Sequence, residues 1–453
     1  MPFYKEDSYL VVYPGSTSTV FSFGLQDLLA PPQYKIPSVV YRNSETNQFQ
    51  ALKDDKSIAI HPIKGSRIVD LDAFNHLLKI ILQSIINANP IVTINHIPLL
   101  VVSPSLTWSR STVEYITKFV IETLEFTAFN VVDLSIASTF GVGSSPNSVV
   151  VKVGADATQI VPVVGNQAIK FASQYLKVGG SLINQELGQI LPQFSEAQIE
   201  ELKTSGIYEV LNSHEGSFYS FADLKKVENS EEFDVAKMVA QTNDIKSLAE
   251  DTQEAKPNKE LENNFFVSSS GDKVYVGKER FQGSALLVKA IADGIYAALA
   301  PIPDTEKRQD CYDNLIFVGA TFQIPGLKEA VLYKIVEDYL VKEPSTGSAN
   351  NANPDGVNPA ILAYQQAEEA NDDTGNNLAQ VPNSVKISKY PDYFPEWKAP
   401  KETGGSWHDV YFLGAQIYAK QIFSNNSNHG RELFVDTDIY EEKGPQSIWD
   451  VSI

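Results

Sequence analysis

Two stretches with the same pattern, at residues 10–24 and 149–163, constrain the fold of this chain more than any other feature. Each has a β-branched apolar run, a turn that contains glycine, and a second, alternating run, which is the pattern of a β-hairpin. Further strand and helix patterns follow each hairpin. The sequence therefore predicts a duplicated α/β domain with a cleft between its two halves.

The size of the chain agrees with two halves. It has 453 residues, whereas a single hydrophobic core stops growing at roughly 250–300 residues. No apolar run reaches the roughly 18 residues that a membrane span needs, and the first residues lack the pattern of a secretory signal. The single cysteine, Cys311, allows no internal disulfide and is expected to be a packed thiol. We therefore expect a soluble protein of a reducing, nucleo-cytoplasmic compartment.

The charge and the scattered histidines exclude two classes of function. The net charge of −20 repels the phosphate backbone of a nucleic acid, so no direct nucleic-acid binding is expected. The six histidines lie far apart, without the spacing of a metal-binding motif. We therefore predict no metal site.

Other motifs follow the hairpins in a fixed order and complete a recognisable pattern. They include a strand, a glycine and a Pro-Gly helix start at 314–326, a hairpin at 271–281, and an apparent strand-to-helix junction at 412–417. With the two hairpins, these motifs resemble the actin family over nearly the whole chain. The resemblance implies an α/β, actin-like (duplicated ribonuclease-H-like) two-lobed fold with a central cleft.

The resemblance also implies domain boundaries. The first lobe would consist of 1–142 and 341–453, with a small front subdomain at about 36–69 and a return strand at 62–70. The second lobe would be 143–340, with a back subdomain at about 179–283. Residues 343–384 are rich in Asn, Asp, Pro and Gly and have few large apolar side chains, so we predict a disordered insertion there.

An actin-type ATPase needs acidic groups for a hydrated cation, a lysine for the phosphates and a glutamine that aligns water. In the first hairpin, the acidic position falls on Tyr13 and the lysine position on Val20. In the second, the metal-side aspartate becomes Lys152 and the aspartate of the turn becomes Ala155, with Asp156 one place later. The essential charges are therefore absent from both hairpins.

The glutamine position falls on Leu134, or on Asp133 if the alignment shifts by one residue, and neither is the residue of the family. What remains of the pocket is backbone amides and hydroxyls that could still meet a phosphate. The residues that could provide them are Gly15, Ser16, Gly154, Thr158, Gly319 and Thr321. We predict no catalytic residue, no cofactor and no ATP hydrolysis; residual ATP binding and a cleft filled by side chains stay open.

Motifs near the C-terminus narrow the resemblance further. The segments 389–398, 412–417, 420–423 and 443–451 resemble the actin-related subunits of fungal SWI/SNF and RSC chromatin remodellers. This implies a nuclear structural subunit, paired with actin-related protein 7 on the helicase-SANT-associated (HSA) helix of the remodeller ATPase, among other remodeller subunits. A working ATPase or sugar kinase lacks support because the acidic pair is missing. A filament-forming actin is disfavoured by the short front loop and the insertion.

Two surface questions remain open from the sequence. The family binds amphipathic helices at a groove whose aromatic and glycine positions fall here on Phe140 and Gly143. Phe140 could instead pack inside the first lobe. The aromatic and proline-rich run 390–397 could either cover the core of this protein or meet a partner.

Overall fold

The computed structural model describes residues 4–25, 29–90, 92, 94–143, 145–211, 257–339, 382–398, 407–424 and 433–451. Both predicted hairpins are confirmed. The first consists of β1 (Leu10–Pro14) and β2 (Ser18–Phe23), and the second of β11 (Asn147–Val153) and β12 (Thr158–Val164). Each pair is antiparallel.

The first hairpin lies in a six-stranded sheet with the order β18-β10-β9-β1-β2-β3. Its other strands are β3 (Tyr34–Pro37), β9 (Leu99–Ser103), β10 (Ala128–Asp133) and β18 (Val435–Asp436). β1 pairs in parallel with β9, and β9 with β10. Because strands β9 and β10 are buried on both faces, they read in the sequence as continuous apolar runs.

The second hairpin lies in a five-stranded sheet that repeats this plan. The order is β13-β12-β11-β17, with β14 also paired to β12. The added strands are β13 (Gln167–Ala168), β14 (Gln174–Leu176) and β17 (Leu315–Val318). β11 is antiparallel to β12 and parallel to β17, as β1 is to β2 and β9. The duplication expected from the sequence is therefore present.

Helices cover these sheets, and their apolar stripes form the cores. They are α1 (Leu71–Ala88), α2 (Arg110–Lys118), α3 (Leu134–Gly141), α4 (Gly180–Ile190), α5 (Glu196–Thr204), α6 (Ala285–Leu299), α7 (Thr305–Tyr312), α8 (Leu327–Tyr339), α9 (Pro395–Lys398), α10 (Val410–Phe423), α11 (Thr437–Lys443) and α12 (Ile448–Val451). Several begin at capping side chains: the Asp70 carboxylate accepts the Ala73 amide at 2.9 Å, and Ser195 with Gln198 forms a capping box.

Helices α3 and α10 join the two sheets. Their side chains share one core with Val102 of the first sheet and Val318 of the second. The two helices pack so closely that a Cβ atom on Gly414 would overlap the carbonyl oxygen of Ala137. Glycine is required there because the two backbones meet directly.

Two small strand groups extend the lobes. The front group has β4 (Val40–Asn43), β5 (Phe49–Gln50) and β6 (Ser57–Ile60), followed by the short hairpin β7 (Ile63–Lys64) and β8 (Arg67–Ile68). The back group has β15 (Asn264–Val267) and β16 (Lys273–Val276), which pack near α4 and α5 through Phe266 and Leu202. The segment 62–70 therefore turns back on itself, and its prediction as a single return strand is wrong.

The segment after the predicted insertion also differs from expectation. Residues 343–381 lie outside the described residues. Ile387 makes a parallel bridge to Leu315, and Val385 joins the core of the second lobe. Val385 and Ile387 therefore lie at the edge of the second sheet, although residues 382–384 were predicted to end the disordered insertion and residues 385–388 to belong to the first lobe. The sheet that a short extended segment joins is decided by the strand edge with which it pairs, here β17, and not by the segment's own sequence pattern.

Two C-terminal features are settled by packing. The stretch 412–417 lies inside helix α10, so the predicted strand-to-helix junction is wrong. In the aromatic run, Trp397 is fully buried and its indole nitrogen donates to the Leu29 carbonyl at 2.8 Å. Tyr393, in contrast, is 85% exposed. The run mainly covers the core of this protein, with one ring left outside.

Candidate functional site in the cleft between the hairpins

The turn of the first hairpin is closed by its own backbone. The Gly15 amide donates to the Ser18 carbonyl at 3.1 Å, and a Cβ at Gly15 would lie 2.5 Å from that oxygen. The Gly15 carbonyl accepts the Ser38 hydroxyl at 2.7 Å. Gly15 therefore shapes a tight turn, and its amide is already hydrogen-bonded within the hairpin.

The turn of the second hairpin is capped by helix α4. The Gly180 amide donates to the Gly154 carbonyl at 2.9 Å, and the Ser181 amide to the Ala155 carbonyl at 2.8 Å. The Thr321 hydroxyl also donates to the Gly154 carbonyl, at 3.3 Å. Amides at the start of a helix are the usual binding groups for a phosphate. Here two of them bind carbonyls of the turn instead.

The remaining polar residues of this turn also have internal partners. The Asp156 carboxylate accepts the Ser181 hydroxyl at 2.7 Å, which places it at the helix N-terminus, where negative charge is favourable. The Thr158 hydroxyl donates to the Val178 carbonyl at 2.8 Å. Gly319 has φ +106 and donates its amide to the His408 carbonyl at 2.9 Å. These groups hold the turn and its neighbours together.

Tyr13, which the sequence aligns with the acidic residue of the family's first hairpin, is part of an aromatic core. Tyr13 is buried, and its ring centroid lies 4.6 Å from that of Tyr411 on α10. Tyr411 donates its hydroxyl to the Asp409 carboxylate at 2.9 Å. Burial and then the negative charge of Asp409 raise the pKa of Tyr13. Val20, paired with Tyr13 across the hairpin, is buried too. The position is neutral at any physiological pH.

The equivalent position of the second hairpin carries a buried cation. Lys152 is only 7% exposed, and its ammonium donates to the Ser66 hydroxyl at 2.6 Å. Burial lowers the pKa of Lys152 to about 8. The residue that the sequence aligns with the acidic cation ligand of an actin-type site is thus a lysine, and its positive charge repels a metal ion.

Ser66 was not predicted as a site residue, yet it lies at the centre of the cleft. It belongs to the turn Gly65–Ser66 between β7 and β8, and its amide donates to the Ser16 hydroxyl at 2.8 Å. Ser66 therefore touches the first hairpin through Ser16 and the second through Lys152. The available sequence signal was a Gly-Ser pair between two short apolar stretches, the pattern of a two-residue turn.

The candidate water-aligning positions are used structurally. Asp133 caps helix α3: its carboxylate accepts the Ser135 amide at 2.8 Å and the Ser105 hydroxyl at 2.6 Å. Leu134 is buried in the core next to α10. Neither side chain is a free hydrogen-bonding group that could orient an attacking water.

Phe140 and Gly143, the two residues predicted to form a helix-binding groove, lie at the C-terminal end of α3. Phe140 is partly buried and stacks on Tyr418 of α10, with ring centroids 5.9 Å apart. Gly143 has φ +87, and no atom lies within 4 Å of the place where its Cβ would be. Phe140 therefore packs against the first-lobe core on one side, while Gly143 leaves open space beside it.

No three His, Cys, Asp or Glu side chains are grouped to hold a metal ion in the described residues. Within the same residues, no helix is both long enough and apolar enough to span a membrane. Cys311 is buried, as predicted, and burial raises the pKa of its thiol to about 12. Cys311 is therefore a packed thiol and not a reactive one.

Comparison with known proteins gives the family of the chain. The profile of the family described as Actin matches residues 4–343. The match covers more than half of the chain, so the chain belongs to the actin family, and the predicted α/β, actin-like fold is confirmed. It is also 23% identical over 543 aligned residues to the SWI/SNF and RSC complexes subunit arp9 of Schizosaccharomyces pombe. That alignment covers 99% of each protein.

Proposed function

We propose that this protein is a non-catalytic, actin-related structural subunit of an ATP-dependent chromatin remodeller of the SWI/SNF or RSC type. The observation that carries the proposal is the end-to-end similarity to a relative named as a subunit of both complexes. An alignment over 99% of each chain indicates a shared architecture in both lobes, and not only a shared domain. Such a role requires a nuclear location.

The chemistry of the cleft supports the absence of catalysis. Hydrolysis of ATP in this family needs a bound cation and a phosphate-binding lysine. Tyr13 and Val20 are buried apolar groups in the first hairpin, and Lys152 is a cation where a carboxylate is needed. Loss of these charges with retention of the fold is expected of a protein that works through its surfaces.

We further propose that the protein pairs with actin-related protein 7 on the HSA helix of the remodeller ATPase. Val142, Ala168 and Ile417 are, like Phe140, partly exposed apolar side chains that pack against the same core, and α3 contacts both β13 and α10. An amphipathic helix binds such an apolar surface through its side chains at positions i, i+3, i+4 and i+7. The net charge of −20 favours a helix rich in lysine and arginine.

Co-purification tests the assembly. The full chain is expressed with actin-related protein 7 and the HSA segment, and complex formation is measured by size-exclusion chromatography. Phe140→Asp is expected to abolish the complex while the circular dichroism spectrum stays unchanged. Tyr393→Asp is the control, because Tyr393 is 85% exposed and does not belong to α3. A wild-type chain that elutes alone with both partners present contradicts the proposal.

Nucleotide assays test the cleft. We expect no phosphate release above buffer from MgATP. We also expect no binding of a fluorescent ATP analogue, with or without magnesium. Binding without hydrolysis would support the alternative, a nucleotide-binding actin-like regulator. Magnesium-dependent turnover that Asp156→Asn abolishes would contradict a non-catalytic role.

A further inference from the structure

The turn Gly65–Ser66, on the hairpin β7–β8, bonds to both lobes at once. On the first lobe, the Ser66 amide donates to the Ser16 hydroxyl at 2.8 Å, and the Ser66 carbonyl accepts the Thr107 hydroxyl at 2.6 Å. On the second lobe, the Ser66 hydroxyl accepts the Lys152 ammonium at 2.6 Å. The backbone and side chain of a single residue therefore connect the two hairpins.

Gly65 adds a further bond to the second lobe. Its carbonyl accepts the Tyr175 hydroxyl at 2.9 Å, and the Arg67 guanidinium lies 4.8 Å from the centroid of the Tyr175 ring. A Cβ on Gly65 would lie 2.8 Å from the Tyr175 oxygen. The Leu106 amide also crosses the cleft, to Gln159 at 3.2 Å. A side chain at position 65 would therefore displace the Tyr175 hydroxyl, and the positive φ of Gly65 also favours glycine.

The backbone of the turn is held in an unfavourable conformation. Gly65 has φ +52 and Ser66 has φ +65, as expected of a two-residue turn with both central residues left-handed. The conformation suits glycine but is disfavoured for serine. Ser66 uses its amide, carbonyl and hydroxyl, and it is only 3% exposed. A strained, fully bonded residue between two lobes indicates a device that fixes their relative position.

We propose that this turn is a built-in latch that holds the two lobes closed in place of a bound ligand. The Ser66 hydroxyl is the hydrogen-bond acceptor that the structure gives the buried Lys152 ammonium. Closure therefore requires that the buried ammonium be matched by the hydroxyl or be absent, while the bond from the Tyr175 hydroxyl to the Gly65 carbonyl ties the turn to the second lobe independently of Lys152. Because every latch atom belongs to the chain, the closed state needs no nucleotide. The inference does not depend on membership of a remodeller.

The latch predicts an unusual pattern among variants. Ser66→Ala leaves the Lys152 ammonium buried without its acceptor, which favours opening of the cleft so that water can reach it. Lys152→Met removes the charge together with its need for an acceptor, and the methionine is of similar length. Removing one partner of a buried pair is costly, whereas replacing both with apolar groups is nearly neutral. The double variant, Ser66→Ala with Lys152→Met, should therefore be as closed as the wild type.

Hydrogen exchange of the full chain measures opening, followed in segments 13–18, 63–68 and 152–158. Ser66→Ala should speed exchange by about tenfold or more, the effect of one unsatisfied buried group. Lys152→Met and the double variant should stay near wild type. Lys289→Met is the control, since Lys289 pairs with Asp293 on the surface of α6. Millimolar MgATP should not change exchange in the wild type.

Any result that differs from these expectations contradicts the latch. Unchanged exchange in Ser66→Ala, or a double variant as open as Ser66→Ala, overturns it. Slower exchange of the wild-type turns with MgATP would show that a ligand closes the cleft. If Ser66→Ala does not fold, Tyr175→Phe replaces it, because that change removes only the bond to Gly65. Tyr175→Phe should speed exchange at 63–68 severalfold, and no change there also overturns the latch.

Discussion

The two hairpins share one plan but treat the same position in opposite ways. Tyr13 and Lys152 are each the residue before the last of their first strand, and each strand pairs in parallel with a buried neighbour. In the first lobe this position holds a neutral ring that packs at a tilt against the Tyr411 ring. In the second it holds an ammonium that needs Ser66.

The difference shows that a buried ring and a buried charge impose unequal demands. An aromatic side chain is stabilised by any well-packed apolar surface, so Tyr13 requires nothing from the opposite lobe. A buried ammonium is costly without a hydrogen-bonding partner, so Lys152 requires an acceptor at a defined place. The second hairpin thus ties the lobes together, whereas the first does not.

The largest expected effect comes from placing a carboxylate in the first hairpin. Tyr13→Asp removes a packed ring and buries an acidic group near Asp409, so the free energy of unfolding should fall by about 3–5 kcal/mol. Urea unfolding measures this. Tyr13→Phe keeps the ring and should cost less than about 1 kcal/mol. If Tyr13→Asp lowered the free energy of unfolding by less than about 1 kcal/mol, the first hairpin would tolerate a buried charge as the second one does.

The second prediction concerns pH and Lys152. Its folded pKa is about 8, against an ordinary value of 10.5. Between these values the unfolded state binds more protons than the folded state, so stability should rise with pH. The gain is at most about 1.4 kcal/mol per pH unit.

The measurement compares wild type with Lys152→Met by urea unfolding from pH 7 to 9.5. Because both proteins share every other titrating group, only the difference between them reports Lys152. That difference should be flat below pH 8 and should favour the wild type progressively above it. A flat difference over the whole range would mean that the lysine stays hydrated, and the contrast between the hairpins would then disappear.

The hairpins themselves could be predicted because their signal is local. Alternation of apolar residues and a glycine in the turn lie within each stretch, so Tyr13 and Lys152 were assigned to the correct strands. Their partners could not be found in this way. Tyr411 and Ser66 are far away in the sequence, and nothing near them indicates which strand they will meet.

The same limit explains the misplaced segment 382–388. The apolar residues Val385 and Ile387 are visible in the sequence, but the sheet that they join depends on the free edge of β17, which is set by tertiary structure. The turn Gly65–Ser66 was missed, because 62–70 was interpreted as one strand although it contains a Gly-Ser pair. Its role could not be predicted either, because a turn pattern gives the local conformation and not the direction in which the hairpin points.

A smaller effect is expected from the tyrosine that holds the turn. Tyr175→Phe removes one neutral hydrogen bond to the Gly65 carbonyl and keeps the ring under Arg67. The loss in unfolding free energy should be about 1 kcal/mol. Tyr275→Phe is the matched control, since Tyr275 is 65% exposed on the back hairpin, and it should change nothing measurable. Equal losses in both variants would mean that the Gly65 bond contributes no stability.

The smallest effect is expected where the family chemistry is restored. Val20→Lys with Lys152→Asp returns a cation to the first hairpin and a carboxylate to the second. Three bonds of the turn to Ser16, Thr107 and Tyr175 do not involve Lys152, so the turn should stay between the hairpins. The amides of Gly180 and Ser181 remain bonded to the turn of the second hairpin. Titration with a fluorescent ATP analogue should therefore show less than about threefold change in affinity, well under 1 kcal/mol. A gain of about tenfold or more, with magnesium dependence, would show that the two hairpins differ from an ATP site only in charge.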